Sequence, residues 1–493
     1  MDRRAFLAAP LAQHLDITKF GAAPGGDSRA PIQRAIDECA AQGGGMVRVP
    51  PGRFVTGTLR LKTGVALWLD HGAVLAGSAN PKEYEPRRPT ENLPPDGWAC
   101  ALILAEGAER CGLLGYGSIT GGGLEKPRVP GKPREPFRPR LISFEGCREV
   151  RVEGLTLRDA DRWTLHFYDC DSVQARSLHI RAGYAMYNTD GIDVDGSRNV
   201  VISDCDILAG DDCIVLKTTN YLGDPKPCEN ITVTNCTLST RASALKIGTE
   251  THARFHNITF SNCTVYGDGD YRPDAVCVEA VDGADLRNVA VSNIVMRHIR
   301  TPVFVRLGAR GAPSRVENIV ISNIVANDAS VTCSITGIPD HPARAVTVSD
   351  LRCVMTGGGA AELADREVPE REAAYPKGDM FGELPSFGFY VRHAADVRLR
   401  NLSVTCERPD ARPALIADDV AQLDVDGLAA PGPIWLKDTA STSIRGHAGR
   451  VRVSGIRTAR VSIRPPAFAA EAAVEMSPEV AKEAVRVTAP WGP

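Results

Sequence analysis

Hydrophobic and polar residues alternate along this chain in short runs, not in helical stripes. One nine-residue phrase, with apolar side chains at its second and fourth positions, occupies residues 149–157, 199–207, 230–238, 257–265, 288–296 and 318–326. The copies that open on Asn199, Asn230, Asn257, Asn288 and Asn318 follow one another by 31, 27, 31 and 30 residues. Weaker copies start near Ser172, Ala345, Asp396 and Arg450. Such a period, built from strands with no helix between them, marks a solenoid in which each repeat covers its neighbour. The two-residue alternation predicts strands with one buried face, separated by Asn-, Gly- and Asp-rich corners. A propeller would need antiparallel hairpin signals, and those are scarce. The expected fold is all-β, a right-handed single-stranded parallel β-helix.

A second strand recurs at residues 164–168, 191–195, 213–217, 244–248, 275–279 and 302–306. Its inward pairs are Leu165/Phe167, Ile192/Val194, Ile214/Leu216, Leu245/Ile247, Val276/Val278 and Val303/Val305. Alternation then turns His166, Tyr168, Asp193, Asp195, Lys217, Lys246, Glu279 and Arg306 outward. One position ahead of the strand runs a further column, Trp163, Asp190, Asp212, Ser243, Asp274 and Thr301. Together these columns predict a solvent-facing groove suited to an extended polar polymer.

Two short motifs sit in that column: Asn188-Thr189-Asp190 and Gly210-Asp211-Asp212. If their strands are neighbours, the backbones of Asp190 and Asp212 lie about 4.8 Å apart. Asp211 is beside them. Three carboxylates so close cannot all ionise freely, and at least one is expected to hold its proton. An acid next to a base is what glycosidic cleavage requires.

Composition narrows the alternatives. The net charge of -3 comes with no basic run, which argues against a nucleic-acid partner. No apolar stretch reaches the roughly 18 residues of a membrane span. Of the 14 cysteines, Cys205, Cys236 and Cys263 share one slot of the repeat, as stacked small hydrophobes would. No zinc-like Cys/His spacing occurs, and neither a metal nor a cofactor is expected. The recurrent asparagines read as a structural amide ladder.

Three segments are expected. Residues 1–14, with Arg3-Arg4 before a short apolar run, read as a truncated twin-arginine export signal, which implies a periplasmic or secreted protein. Residues 15–427 form the β-helix. It opens with a strand over 15–21 and then a helix capped by Asp27 or Ser28, with Pro31 in its first turn. Ile32, Ala35, Ile36 and Cys39 give that helix an apolar face able to close the end of a solenoid. Residues 360–384 read as a long excursion from the coils. Residues 428–493 are expected to be C-terminal coils, a small β appendage or a tail.

Asn188-Thr189-Asp190 with Gly210-Asp211-Asp212 resembles glycoside hydrolase family 28, the polygalacturonases and rhamnogalacturonases, over roughly residues 15–420. The glycine-rich opening of the chain is similar to that of pectin-degrading β-helix enzymes. The resemblance implies that Asp211 donates a proton while Asp190 and Asp212 hold the attacking water. It also implies hydrolysis with inversion, on a plant cell-wall polysaccharide or oligosaccharide. Asn188, His166, Lys217, Ser243, Lys246, Glu279 and Arg306 are then the expected substrate-binding residues. Two of them depart from the family: Ser243 stands where a histidine is usual, and Glu279 where a cationic clamp would hold a galacturonate carboxylate. Lys217 and Lys246 are available to replace the lost cations. Two other readings stay open. One is a polysaccharide lyase, with Ca²⁺ on the three aspartates and Lys217 or Lys246 as base. The other is a non-catalytic carbohydrate-binding solenoid.

Overall fold

The computed structural model describes residues 13–87, 98–124, 137–467 and 473–488. The export signal expected over residues 1–14 falls almost wholly outside them. The chain divides into two compact units, Met1–Cys213 and Ile214–Pro493. No helix among the described residues is long and apolar enough to cross a membrane.

The first unit begins with the strand Gln13–Asp16, which pairs in parallel with Gly45–Val49. The expected strand over 15–21 stops at Asp16. There the carboxylate accepts the Thr18 amide and turns the chain into a 3₁₀ segment, Ile17–Phe20. The helix Arg29–Ala41 follows and buries Ile32, Ala35, Ile36 and Cys39. Asp27 accepts the Arg29 amide at its start, while the Ser28 side chain makes no capping bond. The remaining strands stack in parallel, coil upon coil. Arg140–Glu145 pairs with Leu165–Tyr168, which pairs in turn with Ile192–Asp195.

The second unit repeats the arrangement. Ile214–Thr218, Ser243–Thr251, Asp274–Ala280 and Val303–Leu307 pair in sequence, with Ile214, Leu245, Val276 and Val303 in register. These inward side chains are fully buried. A register shift between Leu216 and Thr218 takes Lys217 out of the regular ladder. At the corners, Asn257 donates to Asn230, Asn288 to Asn257 and Asn318 to Asn288, at 3.1, 3.1 and 2.8 Å. All four have φ between 57° and 60°, a left-handed conformation that asparagine tolerates better than most residues. Cys236 and Cys263 touch on adjoining coils, and that contact, with burial, holds the Cys263 thiol far above its usual range. All 14 cysteines are free thiols.

Parallel pairing continues past residue 427. Leu415–Ala429, Ala440–Arg445, Ala459–Arg464 and Val485–Val487 form one ladder, and Ile434–Lys437, Val451–Ser454 and Val474–Met476 another. The segment around residues 360–384 leaves the coils and returns to cover their outward face. Val368, Met380, Phe381 and Leu384 pack on Cys277, Phe304, Tyr390 and Ile416.

Candidate active site

In the first unit, backbone hydrogen bonds run from Thr164 N to Asp190 O at 2.9 Å and from Gly191 N to Asp212 O at 2.9 Å. Asp190 and Asp212 are therefore stacked on successive turns of the chain. Asp190, Asp211 and Asp212 each present an oxygen within 4.8 Å of the others. Asp190 and Asp212 are buried and Asp211 is half-buried. Two glycines allow this crowding. A Cβ on Gly191 would stand 2.5 Å from Cys213 O, and one on Gly210 would stand 2.5 Å from Thr189 Oγ1.

Local backbone bonds aim Asp211. The Asn188 amide donates to its Oδ2 at 3.2 Å and the Asp212 amide to its Oδ1 at 3.1 Å. Asn188 reaches that position with φ of 49°. Arg138 anchors the turn by donating to Tyr187 O at 3.0 Å and Asn188 Oδ1 at 3.3 Å. Sequence reasoning missed Arg138, because it precedes its strand and belongs to no repeated column.

His166 is fully buried. Its Nδ1 lies 3.1 Å from Ser143 Oγ and its Nε2 3.4 Å from Asp195 Oδ2. Its ring stands 5.1 Å from Trp163. Trp163 contacts Trp98 at 4.7 Å between centroids, and the Arg140 guanidinium lies over both rings.

The other expected residues belong to the second unit. Lys217 pairs with Glu250 at 3.2 Å. Burial would raise the Glu250 carboxyl, but the charges of Lys217 and Lys246 outweigh it and hold the group at about 2. Lys246 lies 5.6 Å from the ring centre of Tyr375, whose hydroxyl accepts from Thr249 Oγ1 at 2.8 Å. Ser243 is in register with Asp274. Asp274 binds Arg300 and the Gly378 amide. Glu279 is fully buried and in register with Arg306. The Arg306 guanidinium turns away, donating to the carbonyls of Gly337, Glu370 and Arg371. Its burial lowers its pKa to about 10.

One expectation is corrected here. The outward column was to face solvent, yet His166, Tyr168, Asp193, Asp195, Lys217, Lys246, Glu279 and Arg306 are all at most 6% exposed. In the second unit the cause is the overlying excursion, whose Tyr375 and Phe381 rest on Lys246 and Arg306.

The family model of glycosyl hydrolases family 28 matches residues 95–364, more than half of the chain, and the chain belongs to that family. A "Probable polygalacturonase" of Arabidopsis thaliana is 33% identical over 213 residues, covering 41% of this chain and 42% of that relative. The chain thus spans well under half the length of that relative. The "Endo-polygalacturonase" of Pectobacterium carotovorum subsp. carotovorum is 27% identical over 295 residues, covering 56% of this chain and 70% of its own. Among solved structures, the Yersinia enterocolitica family 28 exopolygalacturonase superposes with a TM-score of 0.62 at 20% identity. That match covers 85% of this chain and 78% of the other. The fold is the right-handed parallel β-helix of such neighbours.

Proposed function

We propose that the chain is an inverting glycoside hydrolase acting on α-glycosidic bonds of a pectin-type polysaccharide or its oligosaccharides. The observation that carries this reading is the trio Asp190, Asp211 and Asp212 within 4.8 Å. Asp211 serves as general acid, while Asp190 and Asp212 hold and deprotonate the water. Two effects pull on Asp211 in opposite directions. Amides on both of its oxygens favour the ionised form by about 1.5–3 kcal/mol each. The two flanking carboxylates oppose ionisation by on the order of 3 kcal/mol apiece at an effective dielectric near 20.

The spacing also favours a second reading. Inverting pairs usually stand about 6.5–9.5 Å apart and retaining pairs about 5–5.5 Å. The 4.8 Å limit lies nearer the second class, in which one aspartate attacks the sugar directly. Three carboxylates remove the need for the wide gap, because two anions can hold a water beside the acid. The configuration of the first product separates the two readings.

On the resemblance, Ser243 and Glu279 take the places of a histidine and of a cationic clamp for a uronate, although Glu279 is fully buried. Where sugar reaches Glu279, a ring without a carboxylate is favoured, since bringing two carboxylates together out of water is costly. The Arg3-Arg4 start supports export to where such polymers occur. Product analysis on homogalacturonan, rhamnogalacturonan and a panel of aryl glycosides tests the whole reading. Saturated reducing-end products on a pectic polymer are expected. Unsaturated products that vanish with a chelator would assign the aspartates to Ca²⁺ and a lyase.

A further inference from the structure

On the hydrolase reading above, we propose that Tyr375 and Glu250 form a subsite in the second unit that selects a neutral sugar ring. Tyr375 is its stacking face, and Glu250 is the acceptor for the ring hydroxyls. Neither residue belongs to a repeated column of the coils. Tyr375 comes from the excursion, and Glu250 lies near the end of the strand Ser243–Thr251.

Tyr375 is 55% exposed, yet it is fixed at its hydroxyl end. Thr249 Oγ1 donates to the phenol oxygen at 2.8 Å. Arg310 donates to the Thr249 carbonyl at 2.7 Å and binds both oxygens of Asp282. Asp282 in turn accepts the Thr251 amide at 2.9 Å. The Ala309 amide donates to Glu372 O at 2.8 Å and so ties down the excursion just ahead of the tyrosine. Lys246 Nζ stands 5.6 Å from the ring centre. The ring is thus placed before anything binds, which lowers the ordering cost of a contact. An exposed aromatic face of this kind takes the apolar C–H face of a pyranose, while its polar tip stays bonded.

Charge specifies the sugar. Glu250 is the residue after Thr249, and its side chain is 38% exposed. Lys217 engages its Oε2 at 3.2 Å, and with Lys246 it holds the carboxyl at about 2. The ionised group only accepts hydrogen bonds, and bonds from sugar hydroxyls to it are charge-assisted. Lys217 and Lys246 are at most 5% exposed, so the charge that meets an incoming ring is the acidic one. Glu279 adds to it from the next coil, since a Cβ on Gly248 would stand 3.2 Å from Glu279 Oε2. A uronate would set a third carboxylate against these two, which is costly out of water. A neutral ring brings hydroxyl donors instead, and the difference discriminates between the two sugars.

The test is calorimetric titration of the full chain carrying Asp211→Asn with a galacturonate trisaccharide and with its carboxyl-reduced, neutral form. The neutral sugar is expected to bind several-fold more tightly than the acidic one. Adding Tyr375→Ala, at an exposed position that leaves the core intact, should weaken the neutral sugar about tenfold. Adding Glu250→Gln should erase the preference by tightening the acidic sugar. Absence of binding by the neutral sugar, tighter binding of the acidic one, unchanged affinity in Tyr375→Ala or an intact preference in Glu250→Gln would each overturn the proposal. Cleavage of either sugar by the Asp211→Asn chain would count against the assigned acid and leave the subsite standing.

Discussion

The backbone amide of Asn188 donates to Asp211 Oδ2 at 3.2 Å, and it does so from a left-handed turn with φ of 49°. One residue's conformation thus fixes the direction of the carboxylate assigned as acid. Replacing Asn188 with alanine should strain the turn by about 1–2 kcal/mol and lower kcat about fivefold to tenfold through misplacement. Asn188→Gly keeps the turn and should retain more activity than Asn188→Ala. Equal losses in the two variants would show that the side chain matters and the turn does not.

Asp211→Asn keeps shape and removes the proton donor. Turnover on a polymer with a poor leaving group should fall by about 10²–10⁴. An activated aryl glycoside needs less protonation and should lose far less. A comparison of kcat on the two substrates checks the role; matching losses speak against it.

Glu279 is fully buried, and its register partner Arg306 is bound to carbonyls elsewhere. Glu279→Gln removes the charge at nearly constant volume. If sugar contacts this position, KM for an oligogalacturonide should drop several-fold relative to KM for a neutral-sugar substrate. An unchanged ratio of the two KM values would remove Glu279 from the substrate subsite.

Lys217 and Lys246 hold the Glu250 carboxyl at about 2, below its ordinary 4.5. A depressed carboxyl stabilises the fold above the unfolded pKa and loses that contribution as pH falls through the folded value. Glu250→Gln should therefore lower Tm at pH 7, and the difference from the parent protein should shrink from pH 4.5 towards pH 2. A Tm difference independent of pH would mean that the Lys217–Glu250 contact acts only through packing.

The repeat showed in the sequence because its chemistry is local. Branched residues at every second position gave the inward stack from Ile214 to Val303, and the asparagines their ladder from Asn230 to Asn318. The left-handed backbone of those asparagines did not show, since alternation reports side-chain direction and not φ. The aspartate cluster was visible because its residues lie within two adjoining coils. The roof over Lys246 and Arg306 was hidden, because the excursion has no period and packs far from its place in sequence. Cys277 and Phe304, apolar at outward positions, were the available signal. The coils beyond residue 427 showed only faintly, in the weak copy near Arg450, for another reason. Their spacing is shorter, with Asp418 facing Lys437 nineteen residues on, and a pattern tuned to about thirty passes over them.

The most direct test of the central claim is time-resolved proton NMR of the cleaved polymer during the first minutes of reaction. If a water held by Asp190 and Asp212 attacks while Asp211 protonates the leaving oxygen, the first reducing ends must be β, with the α form growing only as they mutarotate. First-formed α ends would mean a covalent intermediate on an aspartate. An unsaturated sugar signal would mean elimination. Either result would contradict the assignment of the three aspartates.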